Sequence, residues 1–247
     1  MSVASSDLVL YASADMPENN SAAAGGAIDS GVRVTFDDPS AASQLIVYSS
    51  SESDTSQSLI LTGRDAGGSI VSESISLSGS SQKTSINTYE RILKAQLSPA
   101  GVGIVTVSGN NYNKITDIPV GETGFRRPFY DATASLTVCK TYYDKFFVKN
   151  NHSSSALTSA AVIEVSSGQY DKITFALEDS KKSNQSVTNR TTAPTGVTGG
   201  FGSGSSGIIG GQLSAQDYQG VWLKLSLNAG QSDVNSFYQV QISGATA

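Results

Sequence analysis

Apolar and polar side chains alternate with a period of two through most of this chain. Clusters of Gly, Ser, Asp and Asn break the alternation about every ten residues. Successive side chains of an extended strand point to opposite faces, so each such run is a strand with one apolar face that needs a second layer to cover it. Val32, Val34 and Phe36 alternate with Arg33 and Thr35, and Leu59 pairs with Leu61. Ile75 and Leu77 stand between Ser74, Ser76 and Ser78, and Val105 precedes Val107. Leu45 to Tyr48 is apolar at every position and reads as a strand buried on both faces. Turn residues fall at Asp37-Asp38-Pro39, Ser49 to Ser53, Asp65 to Gly68 and Gly79 to Ser81. Short strands at this spacing predict a β-sandwich.

The alternation stops at residues 119–128, where Pro and Gly gather, and then resumes. Leu136 and Val138 alternate, Tyr142 to Val148 is a dense aromatic strand, and Val162, Ile163 and Val165 follow. Ile173, Phe175 and Leu177 form another strand, as do Val221, Leu223, Leu225 and Leu227, and Tyr238, Val240 and Ile242. Val221, Leu223, Leu225 and Leu227 are expected on one inward face, with Trp222 on the other. The expectation is an all-β chain of two β-sandwich domains, jelly-roll or Ig-like, over residues 31–118 and 129–247, joined by a linker over 119–128. Residues 1–30, poor in large apolar side chains, read as an extended N-terminal arm. Asp179 to Gly211 reads as a long polar loop ending in glycines, of the kind used for function or contact. Thr88 to Leu97 admits a helix, but strand or loop is favoured. No fixed period recurs, which disfavours a solenoid or propeller.

Composition narrows the function. Charged residues make up 15% of the chain and the net charge is -5, with no Lys/Arg stripe for phosphates; Arg126-Arg127 and Lys181-Lys182 are the longest basic features. Nucleic acid is therefore not an expected partner. No apolar run approaches the ~18 residues of a membrane span. With Cys139 as its single cysteine, the chain cannot form an internal disulfide. Residues 1–20 show no basic start leading into an apolar stretch, so synthesis and folding in a cytoplasm are expected.

Catalytic chemistry finds little to use. His152, the single histidine, stands in Asn150-Asn151-His152-Ser153, which reads as an exposed polar turn. One His and one Cys cannot supply an ordinary zinc set, and any Ser-His-Asp triad would have to use His152. Gly202-Ser203-Gly204-Ser205-Ser206 and Gly202-x-Gly204-x-x-Gly207 match a nucleophile elbow and a dinucleotide loop in letters only, because no strand–turn–helix setting surrounds them. Asp37-Asp38 and Glu52 with Asp54 could hold a hard cation, but the spacing of a calcium loop is missing. A glycosidase carboxylate pair can be far apart in sequence, yet a single Trp is a poor lining for a sugar cleft. No catalytic residue, metal or cofactor is assigned, and the chain is read as not an enzyme.

Several segments carry a resemblance. Leu10-Tyr11-Ala12-Ser13-Ala14-Asp15-Met16-Pro17-Glu18 with Gly25-Gly26-Ala27-Ile28-Asp29 resembles the N-terminus of structural proteins from tailed bacteriophages. Tyr143-Asp144-Lys145-Phe146-Phe147-Val148-Lys149-Asn150 resembles a strand of the same group. So do Val187-Thr188-Asn189-Arg190 with Ala193-Pro194, and Gln219-Gly220-Val221-Trp222-Leu223-Lys224-Leu225. The resemblance implies a virion protein on the head or in the tail and carries over no catalytic residue. The expected role is a capsid cement or decoration protein, a homo-oligomer with a trimer favoured, bound to the major capsid protein or other virion proteins. Leu10, Tyr11, Met16, Pro17, Arg126, Arg127 and Phe201 are its candidate assembly contacts. A tail, collar or baseplate component is the second expectation. A carbohydrate-binding host-attachment module, using Trp222 and Tyr238 as an aromatic platform, is the third.

Overall fold

The computed structural model describes residues 2–111, 113–130, 132, 135, 137–166, 172–202, 204–230 and 238–246. In chain order its strands are β1 (Leu8–Asp15), β2 (Ala24–Arg33), β3 (Leu45–Ser49), β4 (Ser58–Arg64), β5 (Ile70–Ser76) and β6 (Lys83–Thr84). There follow β7 (Arg91–Ser98), β8 (Val105–Gly109), β9 (Lys114–Ile118), β10 (Gly124–Arg126), β11 (Lys140–Asn150), β12 (Leu157–Ser166) and β13 (Lys172–Glu178). The last are β14 (Ser186–Val187), β15 (Val197–Gly202), β16 (Ser205–Gly207), β17 (Gln212–Leu213), β18 (Tyr218–Leu227) and β19 (Gln239–Thr246). Helical structure among the described residues is limited to the 3-10 turns Ser5–Asp7 and Ile209–Gly211. No helix of the described residues is long and apolar enough to cross a membrane. The protein is all-β and sandwich-like.

Two compact units divide the chain, one formed by Met1–Asp29 with Pro128–Ala247 and the other by Ser30–Arg127. The continuous unit, Ser30–Arg127, has β10, β7, β4 and β5 in one sheet and β6, β3, β8 and β9 in another. The end of β2 lies parallel beside β10, with Val32 opposite Gly124 and Arg33 opposite Phe125. Alternation decides the interior. Leu59, Leu61, Ile75, Ile92, Ala95, Leu97 and Phe125 from the first sheet meet Leu45, Val47, Val105, Val107, Ile115 and Ile118 from the second in one core. Ile60, between two inward leucines, is exposed. At one end of this unit the buried Asp54 organises the loops. Its carboxylate accepts from Ser49 Oγ at 2.5 Å, Val102 N at 2.8 Å and Gly103 N at 3.0 Å. At the sheet edge, Glu73 of β5 accepts from Ile86 N, Asn87 N and the Tyr89 hydroxyl, which ties the β6–β7 connection to the edge strand.

In the discontinuous unit, one sheet has the order β15, β13, β18, β11, β1 and β2, with β14 pairing to β2. In the other, β12 lies between β19 on one side and β16 with β17 on the other. β11 sits deep in the first sheet. It pairs antiparallel with β18 from Lys140 opposite Leu227 to Lys149 opposite Tyr218, and with β1 from Leu8 opposite Asn150 to Ala12 opposite Phe146.

Several expectations are corrected. Residues 1–30 do not form an arm: β1 is a sheet strand that buries Val9, Tyr11 and Ala12, and Met16 and Pro17 are buried after it. The expected linker over 119–128 instead holds a turn closed by Glu122 N donating to Pro119 O, and then β10, which completes the sheet of the Ser30–Arg127 unit. The Asp179–Gly211 segment contains β14, β15 and β16. Thr88 to Leu97, where strand or loop was favoured over helix, does contribute most of a strand, β7. Leu136 lies outside the described residues, and Val138 is exposed, ahead of a strand that starts at Lys140.

Candidate functional site

The most polar part of the interior lies on the face of β11 that carries Tyr143, Lys145 and Phe147. β11 is the most aromatic strand of the chain, and a lysine at its centre is an exception that requires a cause. Trp222 of β18 stands directly opposite Lys145, and two positions along β18 is Gly220. A Cβ at Gly220 would collide with Glu178 Oε2 and sit 3.0 Å from Lys145 Cε. The glycine thus opens a gap above the central strand. Lys145 reaches over it from β11 and Glu178 from β13, and they meet with Nζ 2.7 Å from Oε1, both side chains at 0% exposure.

What covers this face explains the charge. Val187, Val197 and Phe201 pack on Ala24, Tyr143 and Trp222, so the polar segment after β13 folds back across the sheet. The buried carbonyls of Ser183 and Gln185, ahead of β14, and of Gly26 in β2 need donors. Lys145 Nζ supplies them: it donates to Gly26 O at 3.0 Å, Gln185 O at 3.2 Å and Ser183 O at 3.3 Å. Trp222 Nε1 donates to Glu178 Oε1 at 3.2 Å. Gln219 Nε2 donates to Glu178 O at 2.9 Å. The ammonium also lies 4.4 Å from the Phe147 ring centroid. Gly25, at φ +100°, has no room for a Cβ between Gln185 O and the Trp222 ring.

Burial works against both charges. It pulls the Lys145 amine below its ordinary value, which the Glu178 carboxylate partly offsets. Burial likewise pushes the Glu178 carboxyl up, opposed by Lys145, Trp222 and Ser183. The pair persists because each charge is met by the other and by further hydrogen bonds.

A second buried cation holds the same covering segment. Arg190 is 2% exposed. Its Nε and Nη2 donate to Asn20 Oδ1 at 3.0 and 2.8 Å, Nη1 donates to Tyr130 O, and the guanidinium lies 4.7 Å from the Tyr142 ring centroid. Its backbone N donates to Ala22 O and its carbonyl accepts from Tyr143 N.

Chemically, this arrangement binds chain to chain. An ammonium surrounded by three carbonyls and a carboxylate has no lone pair to offer as a base or nucleophile. Among the described residues no group of three or more His, Cys, Asp or Glu could hold a metal. Asp38, one of the candidate cation carboxylates, accepts from Arg127 Nη2 at 2.7 Å and Ile92 N at 2.9 Å.

The candidate assembly contacts fall in both units. Tyr11 is buried in β1 and its hydroxyl accepts from Asn151 Nδ2 at 3.0 Å, with Leu10 half-buried beside it. Met16 and Pro17 are buried in the same unit. Phe201 is half-buried against Tyr143 at 5.3 Å between ring centroids. Arg126 and Arg127 belong to the other unit; Arg127 lies over Phe36 and donates to Ile92 O, while both arginines are half-buried. His152, expected in an exposed turn, is buried. Cys139 is exposed and free. Trp222, at 0% exposure, offers no platform for a sugar.

Sequence reasoning missed Glu178 and the role of Gly220. The available signal was a lysine placed inside the most aromatic strand, together with a glycine two residues before the single tryptophan.

Comparison with protein-family models, with curated proteins and with solved structures finds no match to this chain.

Proposed function

We propose that this chain is a non-enzymatic structural protein of a tailed-bacteriophage virion, acting as a capsid cement or decoration protein. In this reading each unit is a β-sandwich of jelly-roll or Ig-like type, and the protein stabilises the head by contacts with the major capsid protein, as a homo-oligomer with a trimer favoured. One observation carries the reading. The segments that resemble phage structural proteins supply Lys145, Gln219, Gly220 and Trp222 to the buried cluster around Glu178, and Arg190 to a second buried site on the same covering segment. In this reading the resembling segments serve to hold a β-unit closed, which suits a component of a particle. Tagged protein located by gold labelling or cryo-EM on purified particles tests it. Density on the outer head supports the cement role, density in the tail, collar or baseplate selects the alternative, and absence from particles overturns both. Glycan-array binding tests the host-attachment reading, which the burial of Trp222 disfavours.

A further inference from the structure

The turn after β11 depends on an uncharged imidazole. His152 Nδ1 accepts two backbone amides, Ser154 N at 3.1 Å and Ser155 N at 2.8 Å. Nδ1 must therefore carry a lone pair, which places the ring proton on Nε2. The turn is a junction between three parts of the chain. Asn150 Nδ2 donates to Ser155 O and Leu213 O, and Asn150 Oδ1 accepts from His152 N. Gln216 Nε2 donates to the carbonyls of Asn151 and His152. Asn151 N donates to Asp7 O at 2.7 Å and its side chain to the Tyr11 hydroxyl, which fastens the start of β1.

We infer that this turn is an acid-opened latch on the N-terminal strand, with His152 Nδ1 as its trigger. A proton on Nδ1 turns the one acceptor into a third donor facing two others, so both amide bonds are lost together. The charged and titratable groups on the surrounding elements offer no rescue. Asp7 is occupied by Ala4 N, Asp217 pairs with Lys181 and Lys182, Lys149 lies 5.9 Å from the Tyr11 ring centroid, and the Tyr11 hydroxyl accepts from Asn151. Among the described residues the imidazole makes no ion pair that would favour its charged form. Acid therefore releases Ser154 and Ser155 first and then loosens the hold of Asn151 on Asp7 and Tyr11.

Amide hydrogen exchange on the full chain tests this, read as protection factors at about pH 7.5 and in mild acid at about pH 5. Protection at Ser154 and Ser155 should fall at least about tenfold at the lower pH, equivalent to roughly 1.4 kcal/mol, while strand amides of the Ser30–Arg127 unit keep theirs. His152→Asn provides the control, because an Asn Oδ1 can take the place of Nδ1 and accepts the same amides without titrating; its protection should not change with pH. Unchanged wild-type protection at the lower pH overturns the latch, as does an equal loss in His152→Asn. Should that variant fail to fold, the wild-type comparison decides alone, supported by imidazole 15N shifts: an Nδ1–H tautomer at neutral pH also overturns the proposal.

Discussion

Lys145 and Glu178 come from the two strands that flank β18 and join over Gly220, Nζ to Oε1 at 2.7 Å, with neither side chain exposed. The pair spans a strand that separates its owners, and its ammonium also satisfies the Ser183 and Gln185 carbonyls of the segment that covers it and the Gly26 carbonyl of β2.

Lys145→Met should therefore destabilise the discontinuous unit by about 3–5 kcal/mol at neutral pH, because it leaves Glu178 buried without its counter-charge. The loss should depend on pH. Burial already raises the Glu178 carboxyl above its ordinary 4.5, and removing the ammonium raises it further. A folded state with the higher value binds more protons than the unfolded chain, so the variant's stability falls as pH rises from the ordinary value through the folded one. Urea melts across this range should show a small deficit in mild acid and a large one at neutral pH; a deficit that shrinks as pH rises contradicts the assignment.

Gly220→Ala should cost about 1–3 kcal/mol as an overpacking change, although alanine suits a strand better than glycine in general. The added methyl group occupies the space in which Glu178 and Lys145 meet. Pairing it with Glu178→Ala should recover part of the loss at that contact. A thermodynamic cycle of the two singles and the double measures the coupling.

Asp54 predicts an acid dependence of opposite sign in the other unit. Burial alone would raise its carboxyl, but the Ser49 hydroxyl and the amides of Val102 and Gly103 hold it below the ordinary 3.8. Its contribution is present above the ordinary value and is lost as pH falls through the lowered one. Asp54→Ala should cost about 2–4 kcal/mol at neutral pH, because bonds to a charged acceptor contribute roughly 1.5–3 kcal/mol each, while of the orphaned amides that of the exposed Val102 can turn to water and that of the buried Gly103 cannot. The deficit relative to wild type should narrow in strong acid, as read from denaturant midpoints.

Residues 30–127 should fold alone. Their core draws on both of their own sheets, and β2 and β10, at the two ends of the unit, lie side by side. The isolated segment should melt cooperatively with dispersed amide signals. Deleting residues 2–25, by contrast, removes β1 and opens the edge of β11 from Phe146 to Asn150. The cost should exceed the ~5–15 kcal/mol that holds a typical domain together, so the truncated chain should retain only the transition of the 30–127 unit.

Much of the architecture was legible because alternation is a local signal. Leu45 to Val47, Leu59 with Leu61, and Ile75 with Leu77 are buried where the pattern places them. Val221, Leu223, Leu225 and Leu227 are buried as well, but Trp222 is buried on the opposite face, because the strand is covered on both sides near its start. The first strand was missed for a reason of distance. Leu8 to Ala12 finds its partner only at Phe146 to Asn150, and neighbouring Ala, Ser and Gly residues mask a short apolar stretch. The first boundary, expected at 31, falls at Ser30, but the second was placed early because the Pro/Gly cluster at 119–124 marks only a turn between strands, and the membership of residues 1–29 in the C-terminal unit gave no signal because the chain crosses units inside β2 without a change in composition. The Lys145–Glu178 pair was invisible because its members are linked through a glycine, which gives no positive signal of its own.

The insertion of one unit into the other also sets an order of events on the ribosome. β1 emerges long before β11, and at elongation rates of about 5–20 residues per second its pairing partner follows roughly 7–28 s later. During that interval the inserted unit can complete its own folding, while the N-terminal segment remains an unpaired strand with Val9, Tyr11 and Met16 uncovered. The growing chain thus carries an unpaired apolar strand until almost the last residues of β11 are made, and a chaperone or a neighbouring nascent chain has that long to capture it.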